Sequence, residues 1–229
     1  MEERQSSLLA EIIRQYIQDA IPVGSKAIGG RFGVSSATIR SGMAELEDLG
    51  YLYQPYTSAG RVPTIKGYRY YIDNFIKVKD PQSVEKKSLQ DLLKEFKDEQ
   101  ELMVKSLAKK LAHYSAAAAV VGFSPCDVYY TGLSNLFYQP EFSHISMVRS
   151  IGEVIDNLDE GMSLLYNECG DEVEVRLGNT NPFGDDCAMV ITSLNLGATL
   201  AIIGLLGPLR MDYDSNLGRL NYVKRLFVK

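Results

Sequence analysis

Gly33-Val34-Ser35-Ser36-Ala37-Thr38-Ile39-Arg40-Ser41-Gly42-Met43-Ala44-Glu45-Leu46-Glu47-Asp48-Leu49-Gly50 is the stretch that decides how this chain folds. Gly33 permits a tight turn, and Ser35 or Ser36 caps the helix that follows. Ile39, Met43, Leu46 and Leu49 recur at helical spacing as its buried stripe, and Gly50 stops it. Upstream, Leu8, Leu9, Ile12, Ile13, Tyr16 and Ile17 predict an amphipathic helix over 4–19. Ile21-Pro22-Val23-Gly24 ends it, and Ser25 caps a second short helix that ends near Gly33. Helix, tight turn and Ser-capped helix together form the helix-turn-helix layout.

That layout places Ser35, Ser36, Thr38, Arg40 and Ser41 at the N-terminal end of the third helix, the end of a recognition helix that meets base edges and phosphates. Small hydroxyls donate to phosphates or base edges, and an arginine can pair with guanine bidentately. Free N–H groups and the helix dipole add an anion site there. On the helix pattern alone, a helical hairpin with a solvated Ser/Thr cap fits equally well.

Downstream, 51–54 reads as a strand, Thr57-Ser58-Ala59-Gly60 as a turn and Arg61-Val62 as a return strand. Pro63-Thr64 opens a fourth helix through Ile76. A strand pair tipped by Thr57, Ser58 and Gly60, with Arg61 beside it and no acid before Asp73, has what a wing needs. Such a tip can touch the DNA backbone or minor groove. Six of the chain's 14 tyrosines lie between Tyr51 and Tyr71, and the expectation is that they pack the wing onto the helices. The groove candidates are Ser36, Thr38 and Arg40. Ser25, Lys26, Ser58 and Arg61 are the backbone or wing candidates.

The chain has 229 residues, 45% of them hydrophobic and 23% charged, an ordinary globular composition. Its net charge of −5 argues, taken whole, against a nucleic-acid binder. Charge counted by region reads differently. Residues 1–79 carry ten basic and eight acidic side chains, whereas 80–229 carry fourteen and twenty-one. Asp80-Pro81-Gln82-Ser83 is turn-like at the same place, so a boundary is expected there. The expected domains are 1–79, a winged-helix DNA-binding domain; 80–116, a long connecting helix and candidate dimerisation element; and 117–229, a regulatory domain.

In the second part, one long helix is expected over 83–116, a strand over 117–123 and an amphipathic helix over 141–158. Strands are expected over 172–177 and 187–206, with Leu196-Gly197-Ala198 as a hairpin turn, and a closing helix from Tyr213 to Val228. The pattern is α+β with antiparallel pairing. Three separate cysteines without C-x-x-C fit a reducing compartment. The acidic Met1-Glu2-Glu3-Arg4 start has no apolar region of a secretory signal. The apolar run from Ala198 to Leu206 is far short of the ~20 residues that span a bilayer. A soluble, cytoplasmic protein with no membrane partner is expected.

Enzyme signals are weak. Gly24-Ser25-Lys26 lacks the order of a phosphate-binding loop, and Gly29-Gly30-Arg31-Phe32-Gly33 is not a dinucleotide fingerprint. His113 and His144 are the only histidines and have no zinc-site spacing. Asp185-Asp186 and Asp212/Asp214 read as turn acids. No catalytic residue, metal or cofactor is expected.

The run Ser35 to Arg40, Met43 to Glu47, Gly50 to Leu52, Gln54-Pro55, Thr57 to Thr64 and Gly67 to Tyr71, with Pro22 to Lys26, closely resembles the N-terminal domain of the heat-inducible transcription repressor HrcA family. Gly132 to Leu136, Gln139 to Phe142, Asp186-Cys187 and Gly204 to Tyr213 resemble that family's GAF-like C-terminal domain. The resemblance implies a winged helix-turn-helix followed by a GAF-like α+β domain. It also implies a repressor of chaperone operons that binds an inverted-repeat operator (the CIRCE element) on double-stranded DNA as a homodimer and is kept active by the chaperonin GroEL. Three departures stand out. Ser41-Gly42-Met43 replaces the family's Asn-x-Met, and Tyr56 replaces its His. The long segment before Gly132, which includes the inserted dimerising domain, is nearly absent. Two further readings stay open: a ligand-gated regulator sensing a small molecule through the GAF-like domain, and a protein-interaction module.

Overall fold

The structure, a computed structural model, describes residues 1–143, 152–153, 156–197 and 199–228. Two compact units divide the chain, Met1–Ile76 and Lys77–Lys229.

The first unit begins with α1 (Glu3–Asp19), which buries Leu8, Leu9, Ile12 and Ile13 and ends at Ala20 in the left-handed region. α2 (Ser25–Phe32) is capped by Gly24, so Ser25 is its first helical residue and not its cap. Gly33, at φ +62°, reverses the chain, a conformation that glycine adopts without the usual Cβ penalty. α3 (Ser36–Asp48) follows with Ser35 as its cap, and it buries Ile39, Met43 and Leu46. Leu49, expected in that stripe, is 45% exposed. The helix stops first, at Asp48, so Leu49 sits in the cap and leaves the buried side.

The hairpin is shorter and shifted. β1 (Leu52–Tyr53) pairs antiparallel with β2 (Val62–Pro63), Leu52 opposite Pro63 and Tyr53 opposite Val62. Arg61 instead makes an isolated bridge with Val23. α4 (Ile65–Phe75) starts from Thr64, whose hydroxyl accepts from the Gly67 N–H and donates to the Gly50 carbonyl.

In the second unit, the helix expected over 83–116 is two helices, α5 (Ser83–Glu95) and α6 (Gln100–Ser115). The chain leaves helical geometry at Phe96 and resumes it after Glu99. An unbroken helix of that length would run about 50 Å. The charged link Lys97-Asp98-Glu99 breaks it, so that α6 packs on the sheet while α5 folds back mainly onto α6, and both touch the C-terminal helix. The sheet is antiparallel, in the order β4 (Asp127–Thr131), β3 (Ala118–Ser124), β7 (Leu200–Pro208), β6 (Cys187–Asn195), β5 (Glu174–Leu177). β4 pairs with β3 across Pro125-Cys126, a hairpin that the sequence pattern did not predict.

Ala118, Val120, Met189, Ile191, Ile202 and Leu206 face one side, where they pack with Met162, Leu165 and Phe183. Alternate residues, among them Ala119, Val121, Val190 and Leu205, face the other side, where α6 and the C-terminal helix lie. Burial on both faces explains why β6 and β7 read as continuous apolar runs. The remaining helices are α7 (Ser134–Phe137), α8 (Leu158–Glu168) and α9 (Tyr213–Phe227). Most of the helix expected over 141–158 lies outside the described residues. Pro140–Ser143 is a 3-10 turn, and α8 begins where that helix was expected to end. Asp212 caps α9 by accepting from the Ser215 N–H, as expected of a turn acid, whereas Asp214 lies inside the helix and accepts from the distant Lys77 N–H. Among the described residues no helix is long and apolar enough to cross a membrane.

Candidate nucleic-acid interface

α2, the Gly33 turn and α3 bring the first group of candidates onto one surface. The Ser35 Oγ accepts from the Thr38 N–H at 3.2 Å and lies 2.9 Å from the Thr38 hydroxyl. That cap fixes the first turn of α3 and occupies one of its otherwise orphan donors. Ser36 is half-buried, while Thr38, Arg40 and Ser41 are exposed on the side away from Ile39 and Met43. The first two turns of α3 contain no acid; Glu45, Glu47 and Asp48 cluster at the far end. The positive end of the helix dipole and the Arg40 charge therefore sit together.

Several cations in this unit are engaged by neighbouring groups and others, among the described residues, are not. Arg31 is paired with Glu11, and Arg14 reaches Glu11 and stands 5.7 Å over the Tyr71 ring. Lys66 donates to the Leu49 carbonyl at 2.7 Å and lies over the Tyr51 ring. Arg40 and the exposed Lys26 meet no carboxylate among the described residues. Ser25, beside Lys26 at the start of α2, is half-buried.

The wing is pinned at its base. Gln54 Nε2 donates to the Ala59 carbonyl at 3.0 Å, and the Ala59 N–H donates to the Tyr56 carbonyl. Thr57 and Ser58 stand exposed at the tip, with Ser58 at φ +70°. A non-glycine residue in the left-handed region costs energy that the surrounding contacts must offset. Arg61 is placed differently from the others. Its side chain is 15% exposed and its Nε lies 2.8 Å from a Glu47 oxygen, outside hydrogen-bond geometry and therefore a contact of charge.

Four of the six tyrosines pack as expected: Tyr68 and Tyr71 are buried, and Tyr51 meets Tyr70 edge-on. Tyr53 and Tyr56 do not, at 47% and 66% exposed. The strand alternation that buries Leu52 turns Tyr53 outward, and Tyr56 sits in the tip; these are interface candidates that sequence reasoning passed over. A cleft of about 320 Å³ opens between the start of α1 and the exposed side of α3, lined by Arg4, Gln5, Thr38, Ser41 and Glu45 among others. No group of three or more metal-ligating side chains converges among the described residues.

Residues 65–216, more than half of the chain, match the family model described as the HrcA protein C terminal domain. The heat-inducible transcription repressor HrcA of Brevibacillus brevis is 28% identical over 327 aligned positions, covering 97% of this chain and 96% of that protein. The alignment is longer than the chain, so that relative carries internal residues which this chain lacks. The repressor of the same name from Thermobifida fusca is 40% identical over 125 residues, 54% of this chain and 36% of that protein. A crystal structure of a hypothetical protein at 2.2 Å resolution shares the fold over 99% of this chain and 97% of its own, with a TM-score of 0.72 and 19% identity.

Proposed function

This chain belongs to the HrcA family of heat-inducible transcription repressors, and on that premise we propose that it represses chaperone operons by occupying an inverted-repeat, CIRCE-type operator as a homodimer. The observation that carries the reading is the acid-free start of α3, where exposed Thr38, Arg40 and Ser41 stand at the positive helix end and Arg40 is held by no carboxylate among the described residues.

Two such helices would enter successive major grooves about one helical turn apart. Ser36, Thr38 and Arg40 would contact the groove, with Ser35 fixing the helix start and Ser41 beside it. Ser25, Lys26, Thr57 and Ser58 would contact the backbone. A net charge of +2 on residues 1–79 supports only modest affinity for one head, so the dimer supplies the rest. Heat control follows if the DNA-competent fraction is small without chaperonin, because apparent affinity scales with that fraction. The protein would work in the cytoplasm, on the nucleoid, with no cofactor.

Gel shifts on the upstream regions of chaperone operons, with GroEL titrated in, test this reading. The expected result is a dimer-sized shift on the inverted repeat that strengthens with chaperonin. No shift at low salt with or without chaperonin overturns it. A thermal shift from a small molecule but not from chaperonin would favour the ligand-gated alternative.

A further inference from the structure

Glu47, in the last turn of α3, reaches the residue just after the first wing strand and the residue just before the second. One carboxylate oxygen accepts the Gln54 N–H at 3.1 Å, and the other lies 2.8 Å from Arg61 Nε. Arg61 in turn exchanges two backbone hydrogen bonds of 2.9 Å with Val23, in the link that leads into α2. The fit at this node is close: a Cβ on Gly60 would lie 2.5 Å from the Pro22 carbonyl. Recognition helix, wing and the start of α2 therefore converge on one ion pair, with side chains 33% and 15% exposed.

We infer that Glu47 and Arg61 are a positioning pair that sets the wing and the start of α2 against the recognition helix, and that Arg61 acts through this pair and not by touching DNA. The inference rests on the DNA-binding reading for its consequence but not for its geometry. An acid in a DNA-reading head repels phosphate, and its removal should tighten binding if repulsion were all it contributed. A positioning acid gives the opposite sign.

Glu47→Gln and Arg61→Lys in the full chain provide the test, with two readouts. In the free protein, amide hydrogen exchange should rise about tenfold over 52–63 and 23–26 while α1 and α4 keep wild-type protection, since a segment opens more readily once the pair that holds it is weakened. On operator DNA, Glu47→Gln should weaken binding about tenfold despite losing a negative charge, a penalty of the size expected for one half-buried charged hydrogen bond. Hydroxyl-radical footprints should lose the flanking protection and keep the central one. Unchanged exchange at the wing, or exchange raised uniformly across the unit, overturns the inference, as does binding by Glu47→Gln at or above wild-type strength. If the wild type itself leaves no footprint, the DNA-binding reading fails, and the exchange data still decide whether the pair holds the wing.

Discussion

In the second unit every described arginine meets a carboxylate: Arg176 is held by Glu168 and Glu174, Arg210 by Glu141, Arg219 by Glu85 and Arg225 by Asp80. In the first unit Arg31 is engaged in the same way and Arg61 by a contact of charge, but Arg40 stands on the exposed side of α3 with no carboxylate among the described residues. The contrast separates arginine as a fastener from arginine as a probe. Where a carboxylate holds the guanidinium, its charge is spent on the fold. Where helix geometry turns it outward and the nearby acids lie at the other end, its charge faces solvent and, on the proposed function, would meet phosphate or guanine. The acidity of residues 80–229 thus includes the partners of that unit's own cations, and says little about the charge presented to DNA.

Five substitutions or measurements can break this contrast, taken in order of size. Leu206→Ala opens the fully buried centre of the sheet and should cost ~2–5 kcal/mol of stability in the second unit. Operator affinity per folded molecule should not change; thermal melts paired with gel shifts check both. Arg40→Ala should cost ~1–3 kcal/mol in operator affinity and leave the melting temperature where it was. Arg219→Ala, in the fastener class, should do the reverse and lower stability by about as much, since a charged hydrogen-bonded pair is removed. If Arg40→Ala melts early or Arg219→Ala loses DNA, the division fails. Ser35→Ala removes the α3 cap and should cost ~1 kcal/mol of first-unit stability by calorimetry.

The smallest effect is in thiol reactivity at pH 8. Burial pushes the Cys187 thiol up to about 12 and, to a lesser degree, the half-buried Cys169 thiol up to about 11. The thiolate is the reactive form, so exposed Cys126 should label first, Cys169 later and Cys187 only on unfolding. Cys187 labelling at the rate of Cys126 would mean that the sheet is not closed.

The sequence made most of the first unit legible, because the Ser35 cap, Gly33 and the apolar spacing of α1 and α3 are local signals, although Ser25 and Leu49 each fall one place from their expected role. What escaped it was long-range. The contact between Arg61 and Glu47 is one such feature, because Glu47, fourteen positions upstream, meets Arg61 only after the hairpin folds. Tyr53 and Tyr56 looked like packing aromatics because strand register decides which side is outward. In the second unit, the apolar stripes of α5 and α6 read as one helix, since nothing local says that the chain folds back and packs one on the other. β4 was missed because an edge strand with Asp127 and Thr131 at its ends lacks an apolar run.

The most direct test of the central claim is the affinity of the full chain for an inverted-repeat chaperone promoter and for a scrambled duplex, measured from about 50 to about 200 mM salt. The account predicts preference for the inverted repeat, a steep fall with salt on both duplexes, and loss of that preference in Arg40→Ala. Equal affinity for the two duplexes, or binding that ignores salt, would contradict it.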